Sequence, residues 1–165
     1  MQKILVGLDG SPRQDDVLRA AVALACANDA ALILTRCVGI PAEVPIEALS
    51  VAPSEVPRLL EAQALHDLES LQARLHGAVS SRVRAVVGTP WQGIEQVAHE
   101  EDVDLVVIGA HGYGGLDRIL GTTAAKVVNH ADRAVLVVRS VDRLLRSSPM
   151  PTDQSTREPS STRVA

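Results

Sequence analysis

Between Val106 and Val128 the chain reads VVIGAHGYGGLDRILGTTAAKVV, five glycines set between an apolar run and a stretch of helical character. Glycine lets a backbone come close to a ligand and turn several N–H groups toward one point. The loop closes on Gly121, Thr122 and Thr123. A helix starting there adds unpaired N–H donors and the positive end of its dipole, and the threonines add hydroxyl donors. The chemistry that suits this composition is the holding of an anion, above all a phosphate. A tight structural connection needs the same residues, and spacing alone leaves both readings open.

Better-known phosphate patterns do not match. A Walker A loop ends in Gly-Lys-Ser/Thr, whereas Gly121 runs directly into Thr122. The first turn, GLDGSP over residues 7–12, is not the dinucleotide fingerprint. Nor is it the Ser-Gly-Gly-x-Asp-Ser loop of ATP pyrophosphatases. His111 has the chemistry of a general base, but the sequence offers it no certain carboxylate or nucleophile, so ligand contact or loop packing suits it better. Arg118 is a phosphate contact or a solvated side chain. Asp9 is apt for accepting from ribose hydroxyls, or else for capping a helix. Cys26 and Cys37 match no metal-ligand spacing and read as two small buried apolar residues.

These residues need elements to position them. KILVGLD is a strand ending at Asp9, followed by a helix with Ser11 as cap, Pro12 in its first turn, and Val17, Ala21, Leu24 and Ala25 at helical spacing. AALILTRCV is a second strand, apolar enough to be covered on both faces. Residues 39–54, with three prolines, read as a long loop. Leu60, Ala64, Leu68, Leu71 and Leu75 make one stripe of a long amphipathic helix. VRAVVG is a third strand. A third helix follows, with Thr89 as cap, Pro90 in its first turn, and Trp91 packing over the helix–sheet seam. VDLVVIG, a helix from Thr122 to His130, and AVLVVRS complete the order. Such alternation predicts an α/β fold, a five-stranded parallel sheet with helices on both faces. Ligands then bind beyond the carboxyl ends of the strands, where Asp9 and Gly109 both stand.

The bulk properties bound the function. One domain, residues 1–140, is the natural reading of 165 residues, with 141–165 as a disordered Ser/Pro/Arg-rich tail. A net charge of −4, one Trp, one Tyr and no Phe argue against nucleic acid as partner, which calls for a basic face or stacking platforms. No apolar segment reaches the roughly 18–20 residues that span a bilayer. The N-terminus lacks the length and cleavage site of a signal peptide, so a cytoplasmic protein without a membrane partner is expected.

Taken together in order, ILVGLDGS, VDLVVIGAHGYGGLDRILGTTAAKVVNHA and the closing AVLVVR resemble a universal stress protein domain, over residues 2–139. The resemblance implies a strand order of 3-2-1-4-5, in a sandwich like that of the adenine-nucleotide alpha hydrolases. Members that bind ATP carry Gly, two residues, Gly, nine residues, then Gly-Ser/Thr. This chain has Gly109, two residues, Gly112, eight residues, then Gly121-Thr122, one residue short. Carried over residue by residue, the pattern puts Leu8 and Asp9 at the ribose and adenine, and has Cys37 and Val38 flanking the adenine. Ile108 and Gly109 come under the ribose, and His111, Gly112, Gly121, Thr122 and Thr123 surround the phosphates. The implied function is a regulatory protein that binds ATP or AMP, with Mg2+ accompanying ATP, and acts through a protein partner. The expected dimer pairs the unguarded fifth-strand edge, Val135 to Val138, with itself. A slow ATPase and a scaffold with an empty cradle are the alternatives.

Overall fold

A strand covered on both faces must be apolar at every central position, and Ile4, Leu5 and Val6 are each 0% exposed. They form the middle of the sheet. The computed structural model of the chain describes residues 1–40, 55–110 and 120–139. In chain order its elements are β1 (Lys3–Gly7), α1 (Gln14–Asn28), β2 (Ala31–Val38), α2 (Glu55–Ala73), β3 (Ser81–Val87), α3 (Pro90–Glu100), β4 (Leu105–Gly109), α4 (Thr122–His130) and β5 (Ala134–Val138). The strands pair in parallel in the order β3-β2-β1-β4-β5, as the resemblance implied. Most of the 39–54 loop and the 141–165 tail lie outside the described residues.

Alternation along each strand divides the core into two layers. Ile4, Val6, Leu32, Leu34 and Val107 meet Val17, Leu18 and Ala21 of α1 and Leu68 and Leu71 of α2. Leu5, Ile33, Val106 and Ile108 point the other way, onto Ile94 and Val97 of α3 and Ala124 and Val127 of α4. Truncating any one of these large side chains to Ala costs ~2–5 kcal/mol, so the sheet and both helical layers stand or fall together.

Two element boundaries differ from the sequence reading. Ser11 is not the N-cap of α1: Arg13 is, and Pro12 precedes the helix. Asp9 Oδ1 accepts from the Ser11 N–H at 2.9 Å, and Ser11 Oγ accepts from the Arg13 N–H at 3.3 Å. These local bonds stabilise a turn in place of another helical turn. The long helix α2 stops at Ala73, before Leu75, because His76 and Gly77 take left-handed φ of 47° and 74°. Leu75 still packs on the same core.

Polar ties fasten the amino end of the sheet. Asp104 Oδ2 accepts from the backbone N–H groups of Gln2 and Lys3 at 2.6 and 3.0 Å, and Lys3 Nζ donates to the Glu101 carbonyl at 2.7 Å. Arg133 Nη1 donates to the carbonyls of Ala98 and Val103 at 2.7 and 3.0 Å, setting a cation at the negative end of α3. The Lys3 and Gln2 amides hold the Asp104 carboxyl below the ordinary aspartate value of 3.8. A depressed folded-state pKa means stability that is present above 3.8 and lost as pH falls through the folded value. Asp104→Asn should therefore unfold at lower urea than the parent at pH 7, with the two midpoints converging in acid below 3.8. A gap that is the same at every pH would show that the carboxylate charge is not what ties these strands.

Candidate functional site

From β1 the chain steps outward to β3, then returns to lay β4 on the other side of β1. Past this end β1 leads to α1 in one core layer and β4 to α4 in the other, which makes the carboxyl end between β1 and β4 the switch point where open α/β sheets take ligands. Gly7 pairs with Ile108 across this seam. A Cβ on Gly7 would sit 2.9 Å from Ile108 Cγ2, so glycine is what lets the side chain of Ile108 lie there undisturbed.

On the β1 side, Leu8 is buried and its N–H donates to the Thr35 carbonyl at 2.9 Å, extending the ladder past the strand. Asp9 follows and is exposed, its carboxylate aimed by the bond to the Ser11 amide. Gly10, with φ of 77°, completes the turn in a conformation L side chains rarely adopt.

On the β4 side, Ile108 is buried and Gly109 half-buried. The Ala110 N–H donates to the Val138 carbonyl at 2.8 Å, and the Ala110 carbonyl accepts from the Gly121 N–H at 2.8 Å. This last bond pins the start of α4 to the end of β4 across the intervening loop. Gly121 is the N-cap, with φ −61° and ψ 155°, and contributes no side-chain cap. The Ala125 N–H makes a helical bond to the Gly121 carbonyl at 2.9 Å. The N–H groups of Thr122, Thr123 and Ala124 precede it and have no acceptor inside the helix. Thr122 is exposed and Thr123 half-buried.

On the β2 side, Cys37 and Val38 are half-buried at the strand end. The Cys37 thiol packs on α3, where a Cβ added to Gly93 would stand 2.6 Å from Sγ. Burial pushes this thiol up to about 12, which makes it a packing group and not a nucleophile at neutral pH. The other cysteine corrects the sequence reading: Cys26 is exposed on α1. It lies outside the buried stripe that α1 presents to the sheet.

Leu8, Asp9, Cys37, Val38, Ile108, Gly109, Gly121, Thr122 and Thr123 thus all stand at the carboxyl end of the sheet. His111 and Gly112, with Tyr113 and Arg118, lie outside the described residues. The sequence reading passed over Arg36, whose signal is a lone charge inside the apolar run ALILTRCV. Its Nη1 donates to Asp67 Oδ2 at 2.6 Å and its Nη2 to Gln14 Oε1 at 3.1 Å. Trp91 is half-buried against the second core layer, its ring 4.8 Å from that of His130 and under Lys126 Nζ at 5.7 Å. His66, His76, His99 and His130 are all exposed. Among the described residues no group of three or more His, Cys, Asp or Glu could hold a metal ion. No helix there is long and apolar enough to cross a membrane. A cavity of about 540 Å³ lies along β3, lined by Arg58, Glu61, Arg84 and Gln96 and by Val86 and Val87, the strand partners of Cys37 and Val38.

Comparison with known proteins agrees with this arrangement. The family model described as "Universal stress protein family" matches residues 1–139. The universal stress protein Sll1388 of Synechocystis is 31% identical over 153 residues, spanning 83% of this chain and 97% of its own. The solved structure of universal stress protein UspA from Lactobacillus plantarum superposes with a TM-score of 0.69 at 28% identity, covering 84% of this chain and 97% of that one. A universal stress protein crystallised in complex with cAMP gives a TM-score of 0.60 at 28% identity, with the same coverage of 84% and 97%.

The approach of α3 to β2 yields a test with two opposed terms. Alanine at position 93 gains up to ~1 kcal/mol of helix propensity over glycine. Its Cβ must displace Cys37 Sγ, and overpacking of that kind costs ~1–3 kcal/mol. Gly93→Ala should therefore destabilise the parent, yet become neutral or stabilising in a Cys37→Ala background. Additive denaturation energies in the double-mutant cycle would mean that the thiol is not what excludes a side chain at 93.

Proposed function

The chain belongs to the universal stress protein family, and from that premise we propose that it is an adenine-nucleotide-binding regulatory protein of the cytoplasm. The observation that carries this reading is the start of α4, fixed to β4 by the Gly121–Ala110 hydrogen bond, with a glycine N-cap that has no side chain to cap the leading N–H groups and no side chain among the described residues doing so in its place. An anion at that point would receive fixed donors and the helix dipole together. The solved relative that holds cAMP supports an adenine nucleotide as the anion's carrier.

In this reading the Gly121, Thr122 and Thr123 backbone and hydroxyls hold phosphate oxygens, joined by His111 and Gly112. The Asp9 carboxylate, which accepts from the Ser11 amide through Oδ1, accepts from ribose hydroxyls as well in this reading. Ile108 and Gly109 underlie the ribose, and Leu8, Cys37 and Val38 supply the apolar surround of the base. ATP or AMP would occupy the site, with Mg2+ on the phosphates of ATP. In this reading these residues bind and orient, and the protein works by occupancy and not by turnover.

The partner surface is the outer edge of β5. Its strand is last in the sheet, and Leu136 is 37% exposed on it. An apolar edge without a guarding charge recruits another strand, and a two-fold axis lets the same edge meet itself.

Two experiments test these statements. Gly121 has φ and ψ open to any residue, so Gly121→Asp should fold and, as a better N-cap in the helix dipole, gain roughly 0.3–1 kcal/mol. The same carboxylate should repel phosphate and weaken ATP binding by roughly tenfold or more in calorimetry. Equal affinity in variant and parent removes the assigned phosphate site. A parent that binds no adenine nucleotide, and carries none when purified under native conditions, returns the fold to the empty-scaffold alternative. For the dimer, sedimentation should show two copies for the parent at micromolar concentration and a folded monomer for Leu136→Lys. A monomeric parent ends the β5 proposal.

A further inference from the structure

A guanidinium inside a sheet–helix layer is an expensive way to brace two helices, since a packed apolar side chain does the same without desolvating a charge. Arg36 is nonetheless 12% exposed at its side chain, on the carboxyl-terminal half of β2. Its Nη1 is held by Asp67 of α2 and its Nη2 by Gln14, the first residue of α1. Its Nε is buried without a hydrogen-bond partner among the described residues.

The flat group lies against the turn that carries Asp9. Its Cζ, Nη1 and Nη2 come within 3.6–3.7 Å of the point where a Cβ of Gly10 would stand. That turn is short and permissive: Gly10 sits between Asp9, whose Oδ1 takes the Ser11 amide, and Ser11, whose carbonyl takes the Gln14 N–H at 3.0 Å. Arg36 therefore stands over the open side of Gly10, where only a glycine leaves the space free, and holds the residue at the far end of the turn through the Gln14 side chain. Two donors of one planar fork, each bonded to a different helix, fix direction as well as distance, which a lysine on a flexible stem does not.

We propose that Arg36 is the positioning residue of the Asp9 carboxylate and so sets the preference of the site for ribose over deoxyribose nucleotides, with Asp67 as its counter-charge on α2. The ligand class rests on the nucleotide-binding reading above; the mechanics of the turn do not.

The test uses the full chain and two probes, ATP and 2′,3′-dideoxyadenosine triphosphate. In the parent ATP binds more tightly than the dideoxy analogue. Arg36→Lys keeps the charge and loses the fork, and should lower that ratio by roughly five- to tenfold, the effect of loosening one charge-assisted hydrogen bond, while leaving the dideoxy affinity where it was. Asp67→Asn, on the more exposed partner, should shift the ratio in the same direction by less. An unchanged ratio in both variants, or equal weakening of both nucleotides, reduces Arg36 to a brace and overturns the inference. A parent that binds neither probe defeats the nucleotide reading alone. In that case amide exchange of the ligand-free protein decides: Ser11 should exchange faster in the variants while β1 and β2 amides keep their rates, and an unaltered Ser11 rate overturns the proposal. If Arg36→Lys does not fold, Asp67→Asn carries both readouts.

Discussion

The described residues of the candidate site take their places from the double pairing of β1, to β2 on one side and β4 on the other. The two registers meet at Gly7, opposite Thr35 of β2 and Ile108 of β4. They set Asp9 two residues beyond the end of the β1–β4 pairing and Gly109, the last residue of β4, one step beyond it on the neighbouring strand. A slip of one residue in either register would send each side chain into the opposite core layer and displace Asp9 relative to Gly109. The core enforces the register, because Ile4, Leu5 and Val6 feed both layers alternately and none can be exposed without loss.

The two ends of the sheet are fastened by different chemistry. At the amino end, side chains tie strands and helices directly: Asp104 to the first two backbone amides after Met1, Lys3 to Glu101, Arg133 to the end of α3. Arg84 spans Glu100 and Glu101 on α3 with bonds of 2.5 and 2.6 Å, and Arg82 joins Glu101. Such surface pairs are individually worth little, but they share carboxylates and form a connected group. At the carboxyl end the fastening runs through backbone: Leu8 to Thr35, Ala110 to Val138, Gly121 to Ala110, Gly88 to Val38. Backbone bonds of this kind hold strand ends in register while leaving side chains and helix-start amides at the switch point for other work. Arg36 with Asp67 and Gln14 is a side-chain cluster at that end, and it bears on the turn that carries Asp9.

The order of elements was legible because its signals are local. Continuous apolar runs, Pro90 at a helix start and glycine after a strand are each read within a few residues. The strand order came from the resemblance, since alternation alone does not say on which side of β1 the chain returns. What was not legible depends on competition between neighbours. Ser11 has the type of an N-cap, but Asp9 takes its amide, its own hydroxyl takes the amide of Arg13, and the helix starts later. Cys26 has the type of a core residue, but the register of α1 turns it to solvent. Arg36 carried a local signal, a lone charge in an apolar run, but not a local role, because its partners Gln14 and Asp67 are distant in sequence and only the fold collects them.

The start of α4 shows how such a site stays both folded and receptive. A Ser or Asp at the N-cap would satisfy a leading amide internally, and glycine there forgoes a few tenths of a kcal/mol relative to those residues. The helix is short, nine residues, and too brief to be stable by propensity. It holds because Ala124 and Val127 are buried in the second core layer and because its first amide is spent on Ala110. Packing and one anchoring bond thus replace the cap. The amides that a side-chain cap would have consumed are not taken by one among the described residues, and under the proposed function an anion would find them already oriented. The stability of the helix and the readiness of its amides come from different residues, and each can be changed without the other.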